Sequence, residues 1–159
     1  KKNPTVAIVN VGAEEEKGNA LVKETFPLLK AEERINFIGS IEARDIPSGY
    51  ADVIVCDAFV GNVILKLYEG VAKTIRHVLK KAFKSNVLSM LGAGLSISAI
   101  KKELKSFDTK EYGGAPMLGL NGMVVKTHGS AKAIEVKTSI LQCRTFRDQR
   151  LNEIIRDNI

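Results

Sequence analysis

Residues Ala51–Lys66 read A-D-V-I-V-C-D-A-F-V-G-N-V-I-L-K, and this stretch decides the fold class. Val53-Ile54-Val55-Cys56 is a short apolar run, the length and composition of a strand buried on both faces. It ends on Asp57, turns briefly, and passes at Gly61-Asn62 into an amphipathic helix. That helix carries Val60, Ile64, Leu67, Val71, Ile75, Val78 and Ala82 in steps of four and three, one apolar stripe with lysines on the other faces. In open α/β sheets ligands bind where strands end and helices begin, because unpaired backbone N–H groups point there. Asp57, Gly61 and Asn62 are therefore the first candidate wall of a site. An ordinary strand–loop–helix corner would carry the same pattern.

Upstream, Thr5–Val9 (T-V-A-I-V) is a second buried strand, closing in Asn10-Val11-Gly12 and an acidic cluster, Glu14-Glu15-Glu16. A helix follows through Leu21, Phe26 and Leu29, with acids near its start and Pro27 expected to kink or end it. Ile35–Gly39 reads as another strand and Ile41–Pro47 as a loop or short helix. Strand, helix, strand, loop, strand, helix at these spacings predicts an α/β protein with a mostly parallel sheet.

Downstream, Ser85–Ile100 contains no charged residue, yet Lys80, Lys81 and Lys84 precede it and Lys101, Lys102 and Lys105 follow. Sixteen residues at ~1.5 Å each fall short of a hydrocarbon core of ~30 Å, and Gly92 and Gly94 are expected to interrupt any helix there. Two readings stand. Val87, Leu88, Met90, Leu91, Leu95 and Ile97 form an apolar tip for a membrane surface, with cationic shoulders for anionic lipid. Alternatively, the segment is a helix–loop–helix buried in a core or a dimer interface. Glu111–Gly122 then holds four glycines and a proline, so its backbone must turn tightly or admit a ligand closely. Asn121-Gly122 is a hairpin signal. The strand Met123–Lys126 leads into Thr127-His128-Gly129-Ser130, and a last helix runs from about Ala131 towards Ile155. Two residues apart, Lys126 and His128 share a face.

The chain's 159 residues, 45% hydrophobic and 26% charged, are ordinary for a soluble globular protein. The net charge of +6 is localised. Lys73–Lys110 holds nine Lys or Arg against two acids, so that segment carries +7 and the remainder −1. The segment must meet something acidic or be well solvated. It lacks the interleaved aromatics and module pattern of a nucleic-acid binder, which ranks that class low. Cys56 and Cys143 fit neither a disulfide framework nor a metal motif, and Cys56 reads as a small core residue. No signal peptide is visible, and a cytoplasmic compartment fits best. The start at Lys1 rather than Met reads as a fragment.

No P-loop, nucleophile elbow, zinc spacing or paired-carboxylate signature is present. What remains is Asn62, Lys126, His128 and the glycine loops, which suit a phosphate or carboxylate ligand: backbone N–H groups and cations provide the potential, and Asn both donates and accepts.

Four stretches carry a resemblance to a known family: VAIVNVGAEEEKGN (Val6–Asn19), INFIGSIEARDIP (Ile35–Pro47), VIVCDAFVGNVILK (Val53–Lys66) and EYGGAPMLGLNGMVVKTHGS (Glu111–Ser130). In this order the chain resembles the C-terminal half of the PlsX phosphate acyltransferases, the N-terminal half being absent. The resemblance implies a three-layer α/β/α sandwich like isopropylmalate dehydrogenase and phosphotransacetylase, in two lobes with the active cleft between them. It implies that acyl-(acyl-carrier protein) and inorganic phosphate give acyl phosphate, which feeds a glycerol-3-phosphate acyltransferase, with no cofactor or metal. Asp57, Asn62, Lys126 and His128 would then be catalytic, and Asn10, Gly12, Gly61, Gly113, Gly114, Asn121 and Gly122 would bind phosphate or substrate. It further implies a homodimer with peripheral membrane contact, made by a basic helix–loop–helix at about 61–108, and so favours the membrane reading of the apolar tip. Departures are Ala58 and Ala43 where the family commonly has Gly, and Ser40 where it has Asn. A phosphotransacetylase-like enzyme acting on acyl-CoA and a non-enzymatic membrane-binding module are the alternatives.

Overall fold

The computed structural model describes residues 1–104 and 113–159. These fall into two compact units, Lys1–Lys84 and Ser85–Ile159, each treated by itself. The end of the expected helix–loop–helix, 105–108, and Glu111 and Tyr112 of the glycine-rich stretch lie outside the described residues.

The first unit is built on β1 (Thr5–Asn10), whose residues Val6–Asn10 are all buried. It is the middle of a three-stranded sheet, with β2 (Asn36–Glu42) on one side and β3 (Val53–Val55) on the other, both parallel to it. The expected α/β class with parallel strands is present. A strand flanked on both sides satisfies its backbone in the ladder, so its β-branched apolar side chains can be buried on both faces. Ala7 and Val9 cluster with Ile41 and Ala51, and Ile46, Ile54, Val60 and Ile64 pack against them. The alternate face takes Phe26 of α1 (Ala20–Ala31), whose ring stands edge-on to Phe37 at 5.2 Å between centroids.

Several expectations are corrected. β2 runs seven residues rather than ending at Gly39, because Gly39 (φ +97°) absorbs a bulge: β1 advances two residues from Val6 to Ile8 while β2 advances three. Among the described residues β3 pairs on one side only, and Val53 is exposed instead of buried. Cys56 lies beyond the strand end and is exposed, not a core residue. The acids Glu14–Glu16 occupy the loop before α1 rather than its first turn, and Asn19 caps the helix, its Oδ1 accepting from Val22 N–H at 2.9 Å. Pro27 lies within α1 without ending it.

Between β2 and β3 a 3₁₀ helix, Ala43–Ser48, closes on Gly49 in the left-handed conformation (φ +70°). A polar clamp then joins the start of β1 to the approach to β3. The Asp52 carboxylate accepts from Thr5 N–H (2.9 Å), from Thr5 Oγ1 (3.1 Å) and from the Lys1 ammonium, while Asp52 N–H donates to Thr5 Oγ1 (3.0 Å). α2 (Ala58–Phe83) follows; only its first turns, through Val60 and Ile64, reach the core. Leu67, Val71, Ile75 and Val78, further along the stripe, are exposed.

In the second unit, α3 (Val87–Leu104) is one continuous helix in which Gly92 and Gly94 are interior residues, contrary to the expected interruption. β4 (Ala115–Pro116) and β5 (Val125–Lys126) form a short antiparallel hairpin, with Ala115 opposite Lys126 and Pro116 opposite Val125. Its left-handed residue is Gly119 (φ +78°), not Asn121 or Gly122. The last helix is two: α4 (Ala133–Asp148) and α5 (Leu151–Asp157), separated by Arg150 at φ 56°. Among the described residues no helix is long and apolar enough to cross a membrane.

The Lys1 ammonium, then the Thr5 N–H, holds the Asp52 carboxyl down at about 2, against an ordinary 3.8. A depressed carboxylate stabilises the fold above its unfolded value and ceases to do so as pH falls through the folded value. Urea midpoints at about pH 5 and about pH 2 should therefore fall less on acidification in Asp52→Asn than in the parent, and an equal fall would show that the clamp carries no pH-dependent stability.

Candidate functional site

In the first unit the candidate residues gather at the carboxyl edge of the sheet. Asn10 ends β1 and is only 6% exposed. Its Nδ2 donates to Lys17 O (3.2 Å), Ser40 Oγ (3.1 Å) and, at the limit, Glu14 O (3.5 Å); its Oδ1 accepts from Val11 N–H (2.8 Å). The amide is thus spent on folding the loop 11–18 and tying it to β2 through Ser40. Gly18 (φ +104°) must lack a side chain there, since a Cβ would lie 2.6 Å from Asn10 Oδ1. Gly12 is on the same loop and buried, covered by the Lys17 and Glu14 side chains.

Asp57 is the N-cap of α2: its Oδ1 accepts from Val60 N–H at 2.8 Å and its backbone carbonyl from Gly61 N–H at 3.0 Å. The helix therefore opens at Ala58, three residues before the expected start. A carboxylate already sits on this helix terminus, so its dipole is partly neutralised before any ligand arrives. Gly61 faces Cys56; a Cβ would come within 2.9 Å of Sγ. Partial burial, then the neighbouring Asp57 charge, pushes the Cys56 thiol up, which disfavours the thiolate a nucleophile needs. Asn62 lies in the second turn of α2 with its side chain exposed. A shallow cleft of about 160 Å³ lies beside this edge, lined by Val9, Leu21, Val22, Cys56, Asp57 and Val60 among others.

In the second unit, Gly113 and Gly114 are packing residues. A Cβ on Gly113 (φ +69°) would meet Gln142 Oε1 at 2.6 Å and Ser139 N at 2.8 Å. One on Gly114 would meet Lys126 O at 2.5 Å, and Gly114 N–H donates to Gln142 Oε1 at 2.9 Å. The glycines let the chain thread between α4 and β5. Lys126 is exposed on β5. His128, also exposed, is oriented by Ser130: Nδ1 accepts the Ser130 N–H at 3.2 Å and lies 2.7 Å from its Oγ. A nitrogen that accepts an amide is unprotonated, so a neutral ring carries its proton on Nε2.

Asn121 and Gly122, with Leu120, line a groove of about 540 Å³ against Arg147, Leu151 and Arg156. Lys126 and His128 do not line it. Among the described residues no three His, Cys, Asp or Glu side chains come together to hold a metal.

The geometry thus brings Asn10, Asp57 and Gly61 to one sheet edge with Asn62 one turn into α2, and in the other unit sets Asn121 and Gly122, but not Lys126 or His128, on the groove. Sequence reasoning missed Ser40, Ser130, Ser139 and Gln142. The spacing His128-Gly129-Ser130 was a readable signal for the second; the others act across the fold and leave no local pattern.

The family model described as a fatty acid synthesis protein matches residues 1–153. The chain belongs to this family, the PlsX family of the motifs quoted above. A phosphate acyltransferase of Clostridium perfringens is 51% identical over 149 residues, covering 94% of this chain and 44% of its own. Others from Clostridium beijerinckii (48%) and Alkaliphilus oremlandii (49%) align with 98% and 99% of this chain, and with 47% of their own. The chain spans about half the length of the curated relatives it matches.

Gly114→Ala places a methyl group against the Lys126 carbonyl and should destabilise the protein by about 1–3 kcal/mol. Gly129→Ala, whose Cβ would meet nothing within 4 Å, should stay within about 0.5 kcal/mol of the parent in the same urea titration. Equal midpoints for all three proteins would contradict the packing role.

Proposed function

We propose that this chain is the C-terminal half of a two-lobed phosphate acyltransferase with the three-layer α/β/α architecture. The enzyme moves a fatty acyl group from acyl-(acyl-carrier protein) to inorganic phosphate. The observation that carries this reading is the identity of about half, over 94–99% of the chain, with relatives named phosphate acyltransferases.

The chemistry needs no protein nucleophile. A phosphate oxygen attacks the thioester carbonyl, the carbon–sulfur bond breaks, and the carrier's sulfur leaves and takes a proton, giving acyl phosphate and free thiol. The protein must hold both reactants in line, stabilise the oxyanion and exclude water. The raised Cys56 thiol agrees with direct attack by phosphate. In this reading Asn62, Lys126 and the Nε2–H of His128 donate to phosphate or the oxyanion, and Asp57, besides capping α2, orients a neighbour or handles the proton. The glycines at 12, 61, 113, 114 and 122, with Asn10 and Asn121, shape the loops around the substrates. The relatives' remaining length supplies the opposite wall.

The acyl phosphate feeds a glycerol-3-phosphate acyltransferase in phospholipid synthesis, which places the enzyme in the cytoplasm at the membrane surface. We assign that contact to α3. Val87, Leu88, Met90, Leu91, Leu95 and Ile97 are all exposed, Leu95 at 86%. At about 100° per residue they occupy one half of the helix, an arc of about 180°, as suits a face to be covered by lipid or by a second subunit of a homodimer.

The first test is acyl phosphate formation by the full-length enzyme, comparing carrier-protein and CoA thioesters. Preference for CoA would favour the phosphotransacetylase alternative. Asn62→Ala and His128→Ala should each lower kcat/KM by about 10²–10³, and full turnover would remove those assignments. For the membrane contact, Leu91→Asp should reduce co-sedimentation with anionic vesicles; unchanged binding would exclude insertion at that position.

A further inference from the structure

The cations of the first unit fall into two populations. Among residues 1–69, six of eight Lys or Arg have an acid within 4 Å: Lys1, Lys17, Lys30, Arg34, Arg44 and Lys66. Beyond Glu69, α2 and its C-cap carry five more, Lys73, Arg76, Lys80, Lys81 and Lys84, with no acid anywhere in 70–84. All five are exposed, and none has a salt-bridge partner among the described residues. The exposed cations are also ordered. At about 100° per residue, Lys73, Arg76, Lys80 and Lys84 fall within an arc of about 80° that, nearer the helix start, also contains Asn62 and the Lys66–Glu69 pair. The cation row extends about 17 Å from Lys73 to Lys84, at ~1.5 Å per residue, with Asn62 about 17 Å further towards the helix start.

Unpaired like charges along one helix face repel, at a cost that a surface without a partner has no reason to bear. The row is too long for a small anion. Nor does it have the composition of a lipid contact, since Val71, Ile75 and Val78 lie on the opposite side of the helix, while an interfacial helix needs apolar groups directed into the bilayer beneath its cations. It has no aromatic residue within the arc for stacking nucleobases. A rigid, extended row of cations does fit the acidic surface of a folded protein.

We propose that Lys73, Arg76, Lys80 and Lys84 form a docking row for an acidic protein. Resting on the reading above, that protein is the carrier of the acyl thioester, held along α2 so that its thioester arm reaches Asn62 at the start of the same face.

The test uses full-length protein and the charge reversal Lys73→Glu/Arg76→Glu/Lys80→Glu, with Lys73→Arg/Lys80→Arg as the conservative control. Binding of fluorescently labelled acyl-carrier protein is followed by anisotropy, and turnover is measured with the carrier thioester and with the same acyl group on uncharged N-acetylcysteamine. The reversal should weaken carrier binding and raise its KM by about tenfold or more at low salt, leave kcat/KM for the small thioester unchanged, and flatten the salt dependence seen in the parent. The arginine variant should behave as the parent. Unchanged carrier binding in the reversal would overturn the proposal. So would losing only the binding of anionic vesicles or of single-stranded DNA, which would make the row a lipid or nucleic-acid contact. If the parent makes no acyl phosphate from either thioester but the reversal still abolishes carrier binding, the reaction assignment fails and the docking row stands.

Discussion

A parallel strand buried on both faces has a polar end that must be received by something, and here the receiver is the amide of Asn10. The apolar part of β1 requires burial; the carbonyls and N–H groups just past it cannot be left there unpaired. By taking four hydrogen bonds in a volume almost closed to solvent, Asn10 converts the strand end into a fixed loop and links that loop to Ser40 of β2. The position of the Asn19 cap, and so of α1, follows from that loop. The carboxyl edge of the sheet, where Asp57 also sits, is rigid because one side chain is fully committed.

That commitment changes how an asparagine or glycine near a candidate site is to be understood. Asn10, Gly113 and Gly114 were read as ligand-binding positions, and in the structure each answers first to a neighbour in its own chain. Polar commitment and ligand contact are different uses of the same residue types. Asn62, Lys126 and His128 carry exposed side chains and have surface to offer a substrate.

The sheet was readable because β-branched runs such as Thr5–Val9 and Val53–Val55 announce parallel strands at any position in a chain, although only the first of these is buried. The bulge at Gly39 was not, since nothing local distinguishes a glycine that ends a strand from one that bends it. The three-residue error at the start of α2 came from weighting Gly61-Asn62 over Asp57, although a capping carboxylate just before a helix is the stronger signal. Gly92 and Gly94 misled for the opposite reason: two glycines weaken a helix by about 1 kcal/mol each, which eighteen residues of otherwise favourable sequence absorb. The motif match identified the family, but the hydrogen bonds from Asn10 to Ser40 and from Gly114 to Gln142, thirty and twenty-eight residues apart, could be found only in three dimensions.

Finally, α2 is 26 residues long and reaches the core of its unit only through its first two turns. Mechanically it is a lever of about 39 Å with its fulcrum beside Gly61 and Cys56. A rocking of 5° at the fulcrum would sweep the far end through about 3 Å, the length of a hydrogen bond. Small adjustments at the sheet edge, of the size that substrate arrival or product departure can impose, are therefore enlarged at the distal lysines, and a load placed on those lysines is returned, reduced in amplitude and increased in force, to Asn62.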